Sequence, residues 1–313
     1  MSESPPREAP LRELSGRAAF ITGGASGIGL GIAVACVNAG MRVVLADLRT
    51  DHIAEALGAF GDRGDAVHAI ELDVCDRQAF AAAVEECGRL VGNVHLLVNN
   101  AGIGILGPIT LAGYDDWDWG LGVMVGGVVN GIQSFLPHML AHGDGGQIVT
   151  TSSMAGLLPV SRTAIYGTAK AAVIGLSESI REELGEQNIG VSVFCPGPVQ
   201  TNIRETGRTR PERYRRDSGL VEIERSLEER PNSPLWMDPL ECGERVMRGV
   251  RDNDLYILTH PEFRAGAEER FRAILASFPD EPPNAARAEE ISFLLRNAIF
   301  AQVLEARGGD AAT

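Results

Sequence analysis

Long apolar runs are missing from this chain: nowhere do about 18 uninterrupted apolar residues occur, so no span of a membrane is expected. The opening residues, Met1 to Arg12, hold proline, glutamate and arginine but no apolar stretch, which argues against a secretory signal. Cysteine is scarce. The five present, Cys36, Cys75, Cys87, Cys195 and Cys242, are scattered, odd in number and form no C-x-x-C pair, so neither a disulfide framework nor a metal site is indicated. A reducing, cytoplasmic setting is the expectation. Positive charge is also short, with 28 Lys and Arg against 42 Asp and Glu and a net charge of −14. Nucleic acid and anionic membrane surfaces both need a basic footprint, so neither is expected as a partner. His138, His142 and His260 show no ligand spacing and read as surface or capping residues. What is present is ordinary globular composition: 313 residues, 44% apolar and 22% charged, enough to bury a substantial core.

Residues 1–14 read as a flexible tail, because prolines and mixed charges cannot bury a face. From Arg17 onward, strands and helices alternate. Strands are predicted at 18–22, 41–46, 66–72, 95–99, 146–151, 189–195 and 255–258. Helices are predicted at about 30–37, 51–60, 77–91 with Asp76 as cap, 114–142, 164–187, 239–251, 261–277 and 285–306. Such alternation implies a parallel sheet covered on both faces. The fold class is therefore α/β, a doubly wound Rossmann-type seven-stranded parallel sheet in a single domain over 15–260, with a helical C-terminal extension over 261–313. The charged, proline-containing stretch 203–237 reads as a substrate lid. Glycines at 120, 122, 126, 127 and 131 weaken the 114–142 helix unless it packs closely, which suggests a buried interface.

Chemistry concentrates on Ile165-Tyr166-Gly167-Thr168-Ala169-Lys170. Tyr and Lys four residues apart share a helix face, and an ammonium beside a phenol favours the phenolate, which suits general acid/base work. That pairing is common by chance and gains weight from three other segments. Thr22-Gly23-Gly24-Ala25-Ser26-Gly27-Ile28-Gly29 joins a strand to a helix, where free N–H groups and a positive dipole end suit a pyrophosphate. The second strand ends at Asp47, 18 residues beyond Gly29, where an acid can take both hydroxyls of an adenosine ribose. A 2'-phosphate would be repelled there, and only Arg49 is placed to rescue it. NAD(H) is favoured, with NADP(H) left open. Asp73 ends a strand near the adenine, and Asn99-Asn100-Ala101-Gly102 ends the fourth strand at the topological switch point.

With Ser152-Ser153 placed thirteen residues before Tyr166, these ordered motifs make residues 15–201 resemble the short-chain dehydrogenase/reductase family. The resemblance implies that Gly23, Ser26, Gly27, Ile28 and Gly29 form the phosphate turn, that Asp73 and Val74 flank adenine, and that Asn100, Ala101 and Gly102 support the sheet beside the cofactor. It further implies that Ser153 holds the substrate oxygen, Tyr166 gives or takes the proton, and Lys170 binds the nicotinamide ribose and lowers the tyrosine pKa. Pro196, Gly197, Val199 and Thr201 would fix the carboxamide. The implied function is hydride transfer between NAD(H) and a secondary alcohol or ketone. Residues 202–313 resemble the family less, with a faint likeness to longer members such as bacterial aryl-ether Cα-alcohol dehydrogenases.

One departure stands out. The family's catalytic Asn on the long helix is replaced by Met124, a thioether that cannot donate a hydrogen bond, and Asn130 lies nearly two turns away. Met124 supports one alternative, a cofactor-binding protein with weakened catalysis; another keeps the same fold and cofactor as an imine or C=C reductase. Ile103, Leu157, Leu158, Val160, Trp236 and Met237 are candidate pocket walls for a small-molecule substrate. By the same resemblance, the 114–142 and 164–187 helices would pair with a neighbour's copies in a homodimer or homotetramer.

Overall fold

The computed structural model describes residues 9–308, apart from 229 and 296. They form two compact units, Met1–Thr259 and His260–Thr313. In the first, seven strands pair in parallel: β1 Ala18–Thr22, β2 Arg42–Asp47, β3 Val67–Glu71, β4 Leu96–Asn99, β5 Gly146–Thr151, β6 Ile189–Cys195 and β7 Tyr256–Leu258. Their order is β3-β2-β1-β4-β5-β6-β7. The central strands are apolar and buried along their length, as they must be when helices cover both faces. From β1 the chain winds outward to β2 and β3 and then returns to β4 on the other side. The loops leaving β1 and β4 therefore diverge and open a crevice at the strands' carboxyl ends.

One face is covered by helices Gly27–Asn38, Thr50–Phe60 and Pro239–Asp252, through residues such as Ile32, Cys36, Phe60, Val246 and Met247. The other is covered by Arg77–Leu90, the long helix Tyr114–His142 and Ala164–Glu183, through Phe80, Val128, Phe135, Val173 and Leu184. Phe20 on β1 meets Phe135 with ring centroids 4.4 Å apart, which locks the long helix onto the middle of the sheet. Tyr114–His142 is long and apolar enough to cross a membrane, but here its apolar stripe lies in the core.

Three of the five glycines of that helix serve close contacts within the chain. A Cβ at Gly120 would meet Ile165 Cγ2 at 2.7 Å, one at Gly127 would meet Val74 Cγ2 at 2.8 Å, and one at Gly131 would meet Asn99 Oδ1 at 2.1 Å. At Gly122–Gly126 the helix widens into a π turn with Met124 buried at its centre, so the helix is not the uniform one its length suggested.

Three other expectations need correction. Residues 9–14 are not a loose tail: Leu11 and Leu14 are buried among Met41, Val43 and Val246, because two leucines three apart can cap the open end of the core; residues 1–8 of that expected tail lie outside the described residues. The 203–237 segment contains a helix, Val221–Glu228, whose charged composition concealed it. The last expected helix is broken into Ala285–Glu290, Ser292–Leu295 and Ala298–Ala306, the third capped by Asn297 on the N–H of Ile299.

Helices Gly27–Asn38 and Pro239–Asp252 cross backbone to backbone: a Cβ at Gly31 would lie 2.0 Å from Pro239 O, and one at Gly243 would lie 2.2 Å from Gly31 O. Backbone cannot yield as a side-chain tip can, so Gly243→Val should cost about 1–3 kcal/mol and lower the melting temperature by roughly 3–10 °C. An unchanged melting temperature would show that the two helices part without penalty.

Candidate active site

The crevice at the carboxyl ends of β1 and β4 is a cleft of about 360 Å³. Its floor begins at the turn after β1. Gly23 and Gly27 hold positive φ values of 61° and 49°, which only glycine adopts freely. Gly23 lies so close to the loop after β4 that a Cβ would sit 3.0 Å from Ala101 Cα. Ser26 occupies the N-cap of helix Gly27–Asn38 yet makes no cap bond; its hydroxyl goes instead to Asn202 Oδ1 at 3.2 Å. The first-turn N–H groups are thus left for something anionic, and no acidic side chain stands in that turn. Gly29 does not line the cleft. A Cβ there would lie 2.0 Å from Gly23 O, so it closes the turn on itself.

Asn100 binds the strand ends together. Its Nδ2 donates to Thr22 O at 3.1 Å and to Gly23 O at 3.3 Å, and its Oδ1 accepts from Thr151 Oγ1 at 3.2 Å. Thr22 Oγ1 in turn accepts from the N–H groups of Asn100 and Ala101 at 2.9 and 3.0 Å. At the end of β2, Asp47 is buried and lines the cleft, its carboxylate accepting from Ala25 N at 3.2 Å and Arg49 N at 3.0 Å. Asp73 accepts from Cys75 N at 2.9 Å, and Val74 O is held by Asn130 Nδ2 at 2.9 Å.

Beyond β5 stand Ser153, Tyr166 and Lys170. Ser152 Oγ donates to Lys170 O at 2.6 Å and pins helix Ala164–Glu183 to the strand end. Gly156 permits that approach, since a Cβ there would meet Lys170 O at 2.8 Å. Ser153 caps the one-turn helix Met154–Leu157 through Ala155 N at 3.1 Å, and its hydroxyl is hydrogen-bonded to the Tyr166 phenol. Lys170 is buried, and its Nζ donates to Thr151 O at 2.8 Å. Burial lowers its pKa from 10.5 to about 8.

The phenol departs from expectation. Burial pushes Tyr166 up, with the Ser153 hydrogen bond opposing, while Lys170 Nζ is turned to the strand carbonyl and lies 5.7 Å from the ring centroid. The tyrosine stays protonated at neutral pH, the form that can donate to a developing oxyanion. A dinucleotide fits this donor set: open N–H groups for its pyrophosphate, an acid at the end of β2, and a hydroxyl, phenol and ammonium together at the far end.

A family model described as short chain dehydrogenase matches residues 17–212. The chain belongs to the short-chain dehydrogenase family. A C alpha-dehydrogenase of Sphingobium sp. (strain NBRC 103272 / SYK-6) is 40% identical over 281 residues, 88% of this chain and 92% of the relative. The LigD apo form from Sphingobium sp. strain SYK-6 superposes with a TM-score of 0.72 at 36% identity, over 86% of this chain and 100% of its own. A short chain dehydrogenase/reductase of Burkholderia phymatum, solved in complex with NAD, gives 0.80 at 31% identity, over 87% and 99%.

In this short-chain dehydrogenase the residues expected at the site come together. Of those expected around cofactor and catalysis, all but Gly29 line the cleft. The pocket walls fared less well: Ile103 and Trp236 line it, but Leu157, Leu158, Val160 and Met237 do not. Met237 instead bridges to Val199. Asn130, weighed in the sequence and not given the family asparagine's role, holds Val74 instead, and sequence reasoning passed over Trp119 and Val123, which line the cleft. Their signal was present in the i, i+4 spacing of Trp119 and Val123 on one helix face. Away from the cleft, His95, His142 and Asp144 bring ligand-type atoms within 4.8 Å of one another. Arg17 Nη1 stands 2.9 Å from His95 Nε2.

The lowered lysine pKa has a stability consequence. Below about pH 8 Lys170 is charged in folded and unfolded chains alike, and the full burial penalty applies; between about 8 and 10.5 the folded protein has released the proton and the unfolded chain has not. Stability therefore rises with pH across that window. Measured by denaturant against Lys170→Met, wild type should gain roughly 1–3 kcal/mol from pH 7.5 to 10.5. A difference independent of pH would contradict the burial argument.

Proposed function

We propose that this family member is an NAD-linked dehydrogenase that interconverts a secondary alcohol and a ketone. The observation that carries the reading is the convergence of Ser153, Tyr166 and Lys170 at one end of a cleft whose other end is Asp47. A bound nicotinamide supplies or accepts the hydride. Ser153 orients the substrate oxygen, Tyr166 donates its proton to that oxygen in reduction, and Lys170 brings a positive charge beside it and holds the ribose. Removing the proton donor alone should lower turnover by about 10²–10⁴-fold.

The preference for NAD rests on Arg49. Its guanidinium makes two hydrogen bonds to Asp51, one of 2.7 Å, and lies 3.8 Å from Glu205, so it is committed to carboxylates rather than offered to a 2'-phosphate. Asp47 repels such a phosphate directly. The substrate end is walled by Ile103, Trp119, Val123, Ile203 and Trp236, which suits a moderately large aryl substrate. The C alpha-dehydrogenase relative makes a benzylic alcohol the first to try.

A second reading, a cofactor-binding protein with weakened catalysis, is favoured by Met124. Its thioether is packed among Ile105, Trp119 and Ile165 and offers no path for a proton. NADH consumption with aryl ketones, aliphatic ketones and imines separates the readings. Turnover that Tyr166→Phe abolishes while NADH affinity holds supports the dehydrogenase; tight NADH binding without turnover on any panel member supports the second. NADH should outperform NADPH by about 100-fold in kcat/KM, given that a like-charge encounter costs several kcal/mol, and Asp47→Ala should narrow that ratio; equal use of both cofactors would refute the assignment.

A further inference from the structure

The stretch over the substrate end of the cleft contains a buried ion cluster that none of the roles above requires. Arg210 is completely enclosed, as are its two carboxylate partners, Asp116 in the first turn of the long helix and Glu224 on helix Val221–Glu228. Nη2 lies 2.8 Å from Asp116 Oδ1 and also bonds Glu224 Oε1, while Nε donates to Glu224 Oε2 at 2.9 Å and Nη1 to Tyr214 O at 2.8 Å. The guanidinium plane sits 4.4 Å from the centroid of the Trp119 ring. Asp116 is completed by Ser218 Oγ at 2.6 Å and Gly113 N at 2.9 Å.

Two carboxylates are held around one enclosed cation out of water, and burial pushes the Glu224 carboxyl up even as Arg210 and, more weakly, Arg215 pull it back. Such an arrangement is a poor stability device; an apolar cluster of the same volume does as well or better. What it does provide is geometry. Only a planar guanidinium can fork onto one carboxylate, reach a second and lie over an indole face at once. The three partners come from two distant places: Asp116 and Trp119 from the long helix, Glu224 from a segment more than a hundred residues later in the chain. Between them run Ile203, Thr206, Thr209, Pro211 and Arg213, all of which line the cleft. Trp119 is itself a cleft wall, packed with Ile165 and Tyr166.

We propose that Arg210 is a positioning residue for substrate recognition: by joining Asp116, Glu224 and the face of Trp119, it holds the 203–228 segment and the indole together as one rigid wall that selects substrates with a bulky aryl group beyond the reacting carbon. The inference rests on the cleft being the substrate site, but its first readout does not depend on turnover. Arg210→Lys keeps a cation and loses the fork and the stacked plane. The triple variant Asp116→Leu/Arg210→Met/Glu224→Leu removes the charges together, so that no carboxylate is stranded if the single variant fails to fold.

In Arg210→Lys, which breaks the fork and leaves the carboxylates unsatisfied, amide hydrogen exchange across 203–228 should accelerate at least tenfold while β1, β4, β5 and β6 keep wild-type protection; in both variants the substrate selectivity should fall as follows. With NADH, KM for an aryl ketone carrying a β-aryl ether should rise at least tenfold with kcat within threefold, KM for acetophenone should change less than twofold, and the NADH dissociation constant should hold. Unchanged exchange over 203–228 in Arg210→Lys would overturn the proposal, as would equal KM increases for both ketones or a parallel loss of NADH affinity. If wild type reduces neither ketone, the functional reading fails by itself, and the exchange measurement still decides whether Arg210 fixes the wall.

Discussion

A lysine ammonium enclosed at the end of β5 is the constraint around which the site is built. Among the described residues Lys170 has one acceptor for its charge, the carbonyl of Thr151, and a buried ammonium is tolerable only with such a partner or a ligand oxygen beside it. To bring Nζ there, helix Ala164–Glu183 must lie against the strand end with no intervening side chain. Gly156 and the Ser152 hydroxyl bring about that approach, and Asn100 ties Thr151 to the turn after β1. The same contact sets Tyr166 one helical turn away, with its oxygen toward Ser153. Lys170 is also the only lysine in the chain, every other cation being arginine. An amine whose pKa responds to burial is needed at that one position, whereas arginine serves wherever a permanent charge is enough.

The rest of the unit supports this end of the sheet. A doubly wound order places β1 and β4 side by side with their outgoing loops diverging, so a cleft follows from topology alone. Glycine sets how near its walls can come. Gly31 and Gly243 let two helices touch through their backbones behind the glycine turn after β1, and Gly120 lets the long helix meet Ile165 directly ahead of Tyr166. Of the charges that line the cleft, Asp47 stands at the end of β2 and Lys170 reaches the end of β5, with Arg49, Asp73, Glu205 and Arg213 also on its walls.

Much of this was legible in the sequence because it rests on local pattern. The strands are short apolar runs between turn residues, and β5 and β6 fall on their predicted bounds. The glycine turn, Asp47, Asn100 and the Ser153, Tyr166 and Lys170 set are recognisable by residue type and spacing. What the sequence concealed depends on contacts between distant segments. Helix Val221–Glu228 is strongly charged and looks like loop until Glu224 finds Arg210. Leu11 and Leu14 look like tail until the core reaches them. The phenol's pKa moved opposite to the simple pair argument because burial, a three-dimensional quantity, raises it while Lys170 turns its ammonium to the Thr151 carbonyl instead. Met124 could be read as the loss of a donor, but not as the centre of a π turn that keeps the helix locally widened without the asparagine.

The most direct test uses the solitary lysine. Protein grown with side-chain-labelled lysine gives a single Nζ/Cε NMR signal, whose titration reports Lys170 without assignment. The account predicts a midpoint near pH 8 and a chemical-shift change on adding NAD that Asp47→Ala weakens and the Gly243→Val crossing variant does not. A midpoint near the ordinary 10.5, with no response to NAD, would mean that the ammonium is in water and that the site described here does not exist.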